Sequence, residues 1–100
     1  TSDGKVSVEH IECNAACDYA PVVMVNWEFY DNQTVASAKD LVDACRAGNP
    51  PAPTRGPNKL PTWKENSEVL AGVNDGRANE GVQAGEPTLL GLKIAKEGGK

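Results

Sequence analysis

Alternating apolar and polar positions mark the start of the chain. In residues 5–13, Val6 and Val8 fall on one side of an extended chain, and Ile11 and Cys13 fall on the other. A period of two is typical of a β-strand. We therefore predict a strand that ends at the first cysteine.

A continuous apolar run follows a short loop that contains two cysteines. Residues 22–25 are apolar at four successive positions, which predicts a strand that is covered on both faces. Residues 28–30 predict a strand that returns beside it, and the polar residues 31–33 close the far end of this hairpin. Because two or three strands and one helix cannot cover both faces, another layer from the same domain or from a partner is required.

A helix is predicted directly after the hairpin. Thr34 can cap it by accepting a hydrogen bond from a free N–H group of the first turn, and Gly48 can end it. One apolar stripe at helical spacing consists of Ala38, Leu41, Val42 and Cys45. The place of Cys45 in this stripe predicts a small buried side chain and not a ligand.

Proline-rich sequence begins after this helix. Five prolines between positions 50 and 61 predict an extended arm, because proline lacks an N–H group and biases the residue before it away from helix. Thr62 and Glu65 have the spacing of a capping box, which predicts a short helix from about Trp63 to Ala71.

The rest of the chain is rich in glycine and asparagine before one last helical pattern over 86–99, which Gly91 weakens. We divide the chain accordingly into three parts. These are half of a domain over 1–48, a proline-rich arm with a short helix for subunit contact over 49–72, and a glycine-rich tail with a short helix over 73–100.

Composition narrows the classes of function. The 100 residues include 39% hydrophobic residues but only one Phe, two Trp and two Tyr, so any core is modest. The net charge of −4, with scattered Lys and Arg, argues against a nucleic-acid surface and against a basic patch for anionic lipid. The longest apolar run, 22–25, is far too short for membrane insertion. The three cysteines, an odd number, favour a reducing compartment, where close pairs are more often metal-binding or redox-active than structural.

Cys13 and Cys17 are separated by three small or polar residues, and four interpretations of the pair are open. The pair could be incidental, hold zinc with His10, carry dithiol chemistry, or form half of a [2Fe–2S] site. The strand pattern turns His10 away from Cys13, and Cys45 belongs to the helix stripe, so zinc lacks ligands. Dithiol chemistry uses a two-residue spacing at a helix N-terminus, which this loop does not have.

An iron–sulfur site fits the loop better. A [2Fe–2S] cluster takes two thiolates on each iron, so it requires two close cysteine pairs on loops. The small residues between Cys13 and Cys17 allow the backbone to curl, so that N–H groups can point at an anionic cluster. The apolar strand beside the loop would limit the access of water.

Residues 6–48 as a whole resemble the second half of the thioredoxin-like [2Fe–2S] ferredoxin domain found in the E-type subunits of NADH-quinone oxidoreductase. The features that carry the resemblance are Cys13 and Cys17 with a small middle, Ala20-Pro21, the strand 22–25, Phe29-Tyr30, Asn32 and the helix 35–46. The similarity is specific over 11–34 and looser after 50. The proline arm and the helix after it are similar to segments that family members place against a flavin-bearing neighbour.

The resemblance implies a fold, a cofactor and partners. The fold is the C-terminal portion of an α/β thioredoxin-like domain, in which Pro21 is the candidate for a cis proline. The cofactor is a [2Fe–2S] cluster, with one iron held by Cys13 and Cys17, that receives electrons from NADH through FMN on a partner subunit. The partners are that flavin- and NADH-binding subunit and other peripheral-arm subunits of respiratory complex I, on the cytoplasmic side of the membrane.

The family's first cysteine pair precedes the first strand, and these 100 residues do not contain it. Cys45 is a single residue and cannot replace two. Because the sequence starts at Thr1 without Met, we expect a fragment of a longer polypeptide that supplies the missing pair. The alternatives are a structural docking subunit without a cluster and a small zinc-binding domain. With no catalytic acid, base or nucleophile evident in the sequence, enzymatic activity would belong to the assembly.

Overall fold

A computed structural model describes residues 1–98. Within this range the chain forms one antiparallel hairpin followed by three α-helices. The strands are β1 (Val23–Val25) and β2 (Glu28–Tyr30), and the helices are α1 (Val35–Arg46), α2 (Trp63–Leu70) and α3 (Glu86–Glu97). This is the expected α/β combination, and none of the helices between residues 1 and 98 has the length and hydropathy needed to span a membrane.

The predicted hairpin is confirmed. Val23 pairs with Tyr30 and Val25 pairs with Glu28, so only two residues connect the strands. Those two residues, Asn26 and Trp27, have φ values of 49° and 72°. Positive φ at both central positions is the condition for a type I′ turn, whose twist matches that of the flanking strands.

The predicted strand over 5–13 is wrong. This segment pairs with no other strand in the part of the chain that the structure describes. Val8 is 82% exposed and Ile11 is 50% exposed, so neither of the two predicted faces is buried as a whole in this structure. A strand needs a neighbour for its N–H and C=O groups, and alternation of side chains does not provide one.

The helix α1 begins and ends where the sequence predicts. The Thr34 hydroxyl accepts a hydrogen bond from the Ser37 N–H at 3.0 Å, and the Ser37 hydroxyl accepts one from the Thr34 N–H at 2.8 Å. This reciprocal capping box satisfies two backbone donors that the helix leaves free. After Ala47, Gly48 takes a φ of 76°, a conformation that glycine adopts without steric cost and that commonly ends helices.

A small hydrophobic cluster joins α1 to the hairpin. Its buried members are Tyr30, Leu41 and Leu60, and the partly buried residues packed against them are Val23, Val25 and Cys45. The cluster is small, and the strand residues Val23–Val25 are only half-buried. The covering layer predicted for this strand is therefore incomplete within the described residues.

The proline-rich segment is folded onto the hairpin. The Thr54 N–H donates to the Phe29 carbonyl at 2.9 Å, and the Tyr30 hydroxyl donates to the Pro51 carbonyl at 2.6 Å. Leu60, near the end of the segment, completes the hydrophobic cluster. Burial is the main cause that raises the pKa of Tyr30 to about 12. The sequence predicted an extended arm, and the structure adds that this segment packs against the hairpin. A role of this segment in subunit contact stays a prediction.

The capping box at the start of α2 is confirmed, since the Thr62 hydroxyl accepts from the Glu65 N–H at 3.1 Å and the Glu65 carboxylate accepts from the Thr62 N–H at 3.2 Å. Asn66 in the same helix is buried, and its amide donates to the Asn26 carbonyl and to the Glu28 carboxylate. These two hydrogen bonds hold α2 beside the hairpin turn.

The cap of α2 is expected to depend on pH. The hydrogen bonds from Thr62 lower the pKa of Glu65, because they favour the carboxylate form in the folded state. The cap therefore contributes stability above the ordinary Glu pKa of about 4.3 and loses it as the pH falls through the lower folded value. Amide hydrogen exchange of α2, corrected for intrinsic rates, should show a selective loss of protection over that acid range.

The matched control is Glu65→Gln, because glutamine also forms a capping box and has no charge to lose. Its α2 amides should exchange at a protection level that does not change between about pH 5 and about pH 3, values that bracket the ordinary Glu pKa of about 4.3. An equal acid-induced loss in this variant would mean that Glu65 is not the responsible group.

Candidate metal centre

The loop with the two cysteines lies a few residues before β1, and both cysteines are accessible to solvent. Cys13 and Cys17 are exposed, and neither takes part in a disulfide. Ala16, between them, is buried and anchors the middle of the loop against the protein. The two cysteines are therefore accessible to solvent, whereas Ala16 holds the backbone between them against the protein.

The backbone of the loop curls around the first thiol. Ala15 has a φ of 55°, and its N–H donates to the Cys13 Sγ at 3.2 Å. An N–H group directed at sulfur stabilises the negative charge of a thiolate and is one of the features that tune iron–sulfur centres. The sequence predicted this curl from the small side chains between the cysteines.

The second cysteine starts a short 3₁₀ helix, Cys17–Tyr19. The Tyr19 N–H donates to the Ala16 carbonyl at 3.1 Å, and the Tyr19 carbonyl accepts from the Asn32 N–H at 2.9 Å. The peptide bond between Ala20 and Pro21 is cis, as the resemblance implied. The loop is thus connected to the residues that follow β2.

Arg55 lies behind the loop and was not recognised from the sequence as part of the site. Its side chain is only 12% exposed, and its guanidinium pairs with Asp31, itself 8% exposed, at 2.8 Å. The guanidinium carbon lies 4.7 Å from the centre of the Phe29 ring and 5.8 Å from that of Tyr19. Arg55 therefore links the proline-rich segment, β2 and the Tyr19 end of the cysteine loop through one largely buried charge.

The start of α3 contacts the cysteine loop, a contact for which the sequence carries no signal. The Glu86 N–H donates to the Tyr19 hydroxyl at 3.0 Å, and the Thr88 hydroxyl lies 3.4 Å from the Asp18 carboxylate. Gly85 is buried against the Tyr19 ring. Residues that were predicted to be a tail are therefore part of the surroundings of the site.

The remaining cysteine and the histidine do not join the pair. Cys45 packs against the hydrophobic cluster, where burial raises the pKa of its thiol, and His10 is exposed. No group of three or more His, Cys, Asp or Glu side chains that could hold a metal ion is found in residues 1–98. A closed four-ligand zinc site is thus not formed by the described residues, whereas two thiols on one short loop suit one iron of a [2Fe–2S] cluster.

Comparison with known proteins finds a family model and several relatives that this chain matches. Residues 1–46 match the family model described as thioredoxin-like [2Fe-2S] ferredoxin. The chain is also 58% identical over 98 residues to the E-type subunit of NADH-quinone oxidoreductase from Mycobacterium bovis and, equally, to that from Mycobacterium tuberculosis. The resemblance inferred from the sequence is therefore confirmed.

These alignments cover 97% of the chain but only 38% of the mycobacterial proteins, so the chain spans little more than a third of their length. A shorter match, 36% identical over 50 residues, is to the mitochondrial NADH dehydrogenase [ubiquinone] flavoprotein 2 of Dictyostelium discoideum. It covers half of this chain and 20% of that protein.

Proposed function

We propose that this chain is part of an electron-transfer subunit of a respiratory NADH:quinone oxidoreductase, and that Cys13 and Cys17 bind one iron of a [2Fe–2S] cluster. The observation that carries the proposal is the loop itself, in which the Ala15 N–H points at the Cys13 Sγ inside a sequence region that matches [2Fe-2S] ferredoxins. A bound cluster supplies one-electron redox chemistry that no side chain here can supply.

In this proposal, the residues of this chain bind part of the cluster and hold the loop around it in place. Cys13 and Cys17 donate thiolates, Ala15 donates an N–H to sulfur, and the buried Ala16 keeps the backbone close. A [2Fe–2S] cluster takes four thiolates, of which this chain offers one adjacent pair. We propose that the other pair comes from sequence outside these 100 residues, which is supported by the limited share of the relatives that the chain covers.

The proposed partner is the subunit that carries FMN and NADH, together with other peripheral-arm subunits on the cytoplasmic side. One feature supports a protein contact at the tip of the hairpin. Trp27 and Trp63 stack with ring centroids 5.2 Å apart, yet they remain 48% and 57% exposed. Exposed tryptophans are unfavourable in water and are enriched in interface hot spots. We extend the proposed contact surface to the segment 49–72, which contains Trp63.

Metal analysis of the longer polypeptide tests the proposal. After anaerobic, iron-replete expression we expect about two irons and two acid-labile sulfides per chain and, after chemical reduction, a rhombic electron paramagnetic resonance (EPR) signal. Iron-free protein under these conditions would overturn the proposal in favour of a docking subunit without a cluster. About one zinc per chain would instead favour the zinc-binding alternative.

A further inference from the structure

We propose that segment 80–88 positions the second cysteine of the loop, and that Gly85 and Tyr19 are the residues through which it acts. The inference rests on the proposed function for the identity of what Cys17 binds. The contact itself joins the loop to residues beyond the 1–46 region that matches the ferredoxin family.

The first observation is the glycine. Gly85 is the N-cap residue of α3, a position that accepts glycine about as well as Thr but where Ser, Asp or Asn would add a side-chain hydrogen bond to the helix. Its φ of −75° is open to any residue, so the backbone conformation does not require glycine. A Cβ at this position would lie 2.7 Å from Cδ2 of Tyr19 and closer still to Cε2. Glycine is therefore needed because the tyrosine ring occupies the space of a side chain.

The second observation is the hydrogen bonding at the same contact. The first N–H groups of a helix have no partner within it. The Tyr19 hydroxyl accepts one of them, from Glu86, at 3.0 Å. Thr88, further along the first turn, adds a longer contact from its hydroxyl to the Asp18 carboxylate. The Tyr19 ring thus packs against Gly85 directly before α3, and the Tyr19 hydroxyl accepts a hydrogen bond from the first N–H group of that helix.

The third observation is that segment 80–88 is fixed at its other end. The Gly56 N–H donates to the Val82 carbonyl at 2.7 Å, and the Asn58 N–H donates to the Glu80 carboxylate at 3.1 Å. A Cβ at Gly81 would overlap the Gly56 carbonyl. The segment is therefore attached to the proline-rich segment, whose Arg55 lies behind the same tyrosine ring.

The consequence for the site follows from the local backbone. Cys17 and Tyr19 belong to one 3₁₀ turn, closed by the Tyr19 N–H on the Ala16 carbonyl. A displacement of the Tyr19 ring is transmitted to Cys17 through this short turn. Cys13 precedes the turn and has its own N–H contact from Ala15, so it is expected to respond less.

The experiment compares Gly85→Ala with Gly91→Ala in the full-length protein. A Cβ at Gly91 meets nothing within 4 Å, so this control adds the same methyl group to α3 without touching the loop. In metal-free protein, Gly85→Ala should speed hydrogen exchange at the Tyr19 amide and alkylation of Cys17 relative to Cys13 by about tenfold, and Gly91→Ala should change neither.

Tyr19→Phe is the milder second variant, because it keeps the ring and removes only the acceptor for the Glu86 N–H. It should change both rates in the same direction by less. With the cluster bound, both site variants should shift the EPR g-values relative to wild type, a readout that a general loss of stability would not move.

Wild-type exchange and alkylation rates in Gly85→Ala, or the same change in Gly91→Ala, would overturn the positioning role. A wild-type protein that binds no iron would overturn the proposed function instead. The exchange and alkylation comparison on metal-free protein would still decide whether segment 80–88 positions Cys17.

Discussion

Cys13→Ala and Cys17→Ala are each expected to abolish the [2Fe–2S] cluster in the full-length polypeptide. Each variant removes one of the two thiolates that we propose this loop gives to one iron, and no other cysteine in residues 1–98 lies beside the loop to replace it. Iron and acid-labile sulfide should fall to background, and the EPR signal of the reduced protein should disappear.

The matched control is Cys45→Ala. Cys45 packs against the hydrophobic cluster of Tyr30 and Leu41, and burial raises the pKa of its thiol, which disfavours the thiolate that a metal requires. This variant should retain full iron and sulfide content. Loss of the cluster in Cys45→Ala together with its retention in Cys17→Ala would show that the ligands have been assigned wrongly.

Arg55→Ala is expected to destabilise the fold by about 1–3 kcal/mol, because it removes the charged partner of the largely buried Asp31 carboxylate, which keeps its hydrogen bond from the Thr54 hydroxyl. The guanidinium also covers the Phe29 ring, and this contact is lost in the same variant. Urea unfolding of the purified polypeptide measures the effect as a fall in the transition midpoint at an unchanged slope.

Two further variants test whether burial of the Arg55–Asp31 ion pair causes the loss of stability. Lys93 pairs with Glu97 on the surface of α3 and is 69% exposed, so Lys93→Ala should change stability by less than about 0.5 kcal/mol. The double variant Arg55→Ala with Asp31→Ala should lose clearly less than the sum of the two single losses, because no unpaired charge remains buried. Strict additivity would mean that the ion pair makes no contribution as a pair.

The elements that were predicted correctly have their causes within a few residues. Thr34 and Gly48 bound α1 through their own hydrogen bonding and backbone freedom, and the Thr62 capping box does the same at the start of α2. The two-residue turn of the hairpin follows equally from the distance between two apolar runs. Such signals act along the chain, so their meaning does not depend on what the rest of the protein does.

The cysteine loop was partly predictable for the same reason. Spacing and small side chains are local, and they correctly indicate the curled backbone that brings the Ala15 N–H to Cys13. The long-range contacts that support the loop were not predictable from the sequence. The buried Arg55 and the close approach of Gly85 to Tyr19 join residues that are far apart along the chain, and neither contact has a motif.

The strand predicted over 5–13 shows where pattern is insufficient. Its alternation is consistent with a strand, but a strand exists only where a neighbour accepts and donates its hydrogen bonds. The packing of residues 49–61 against the hairpin was missed for a related reason. Their prolines correctly exclude helix, yet the packing of this segment on β2 depends on the Phe29 carbonyl and the Tyr30 hydroxyl, far away in the chain.

Helix ends, the hairpin and the curled backbone of the loop that carries the two thiols were thus accessible from residue order, because each depends on neighbours a few positions apart. The surroundings of those thiols were established by packing: a charged pair removed from water, a tyrosine ring pressed on a glycine, and a proline-rich segment that covers the hairpin. Contacts of this kind form only when distant segments meet in space, since burial and hydrogen-bond geometry are properties of the folded arrangement.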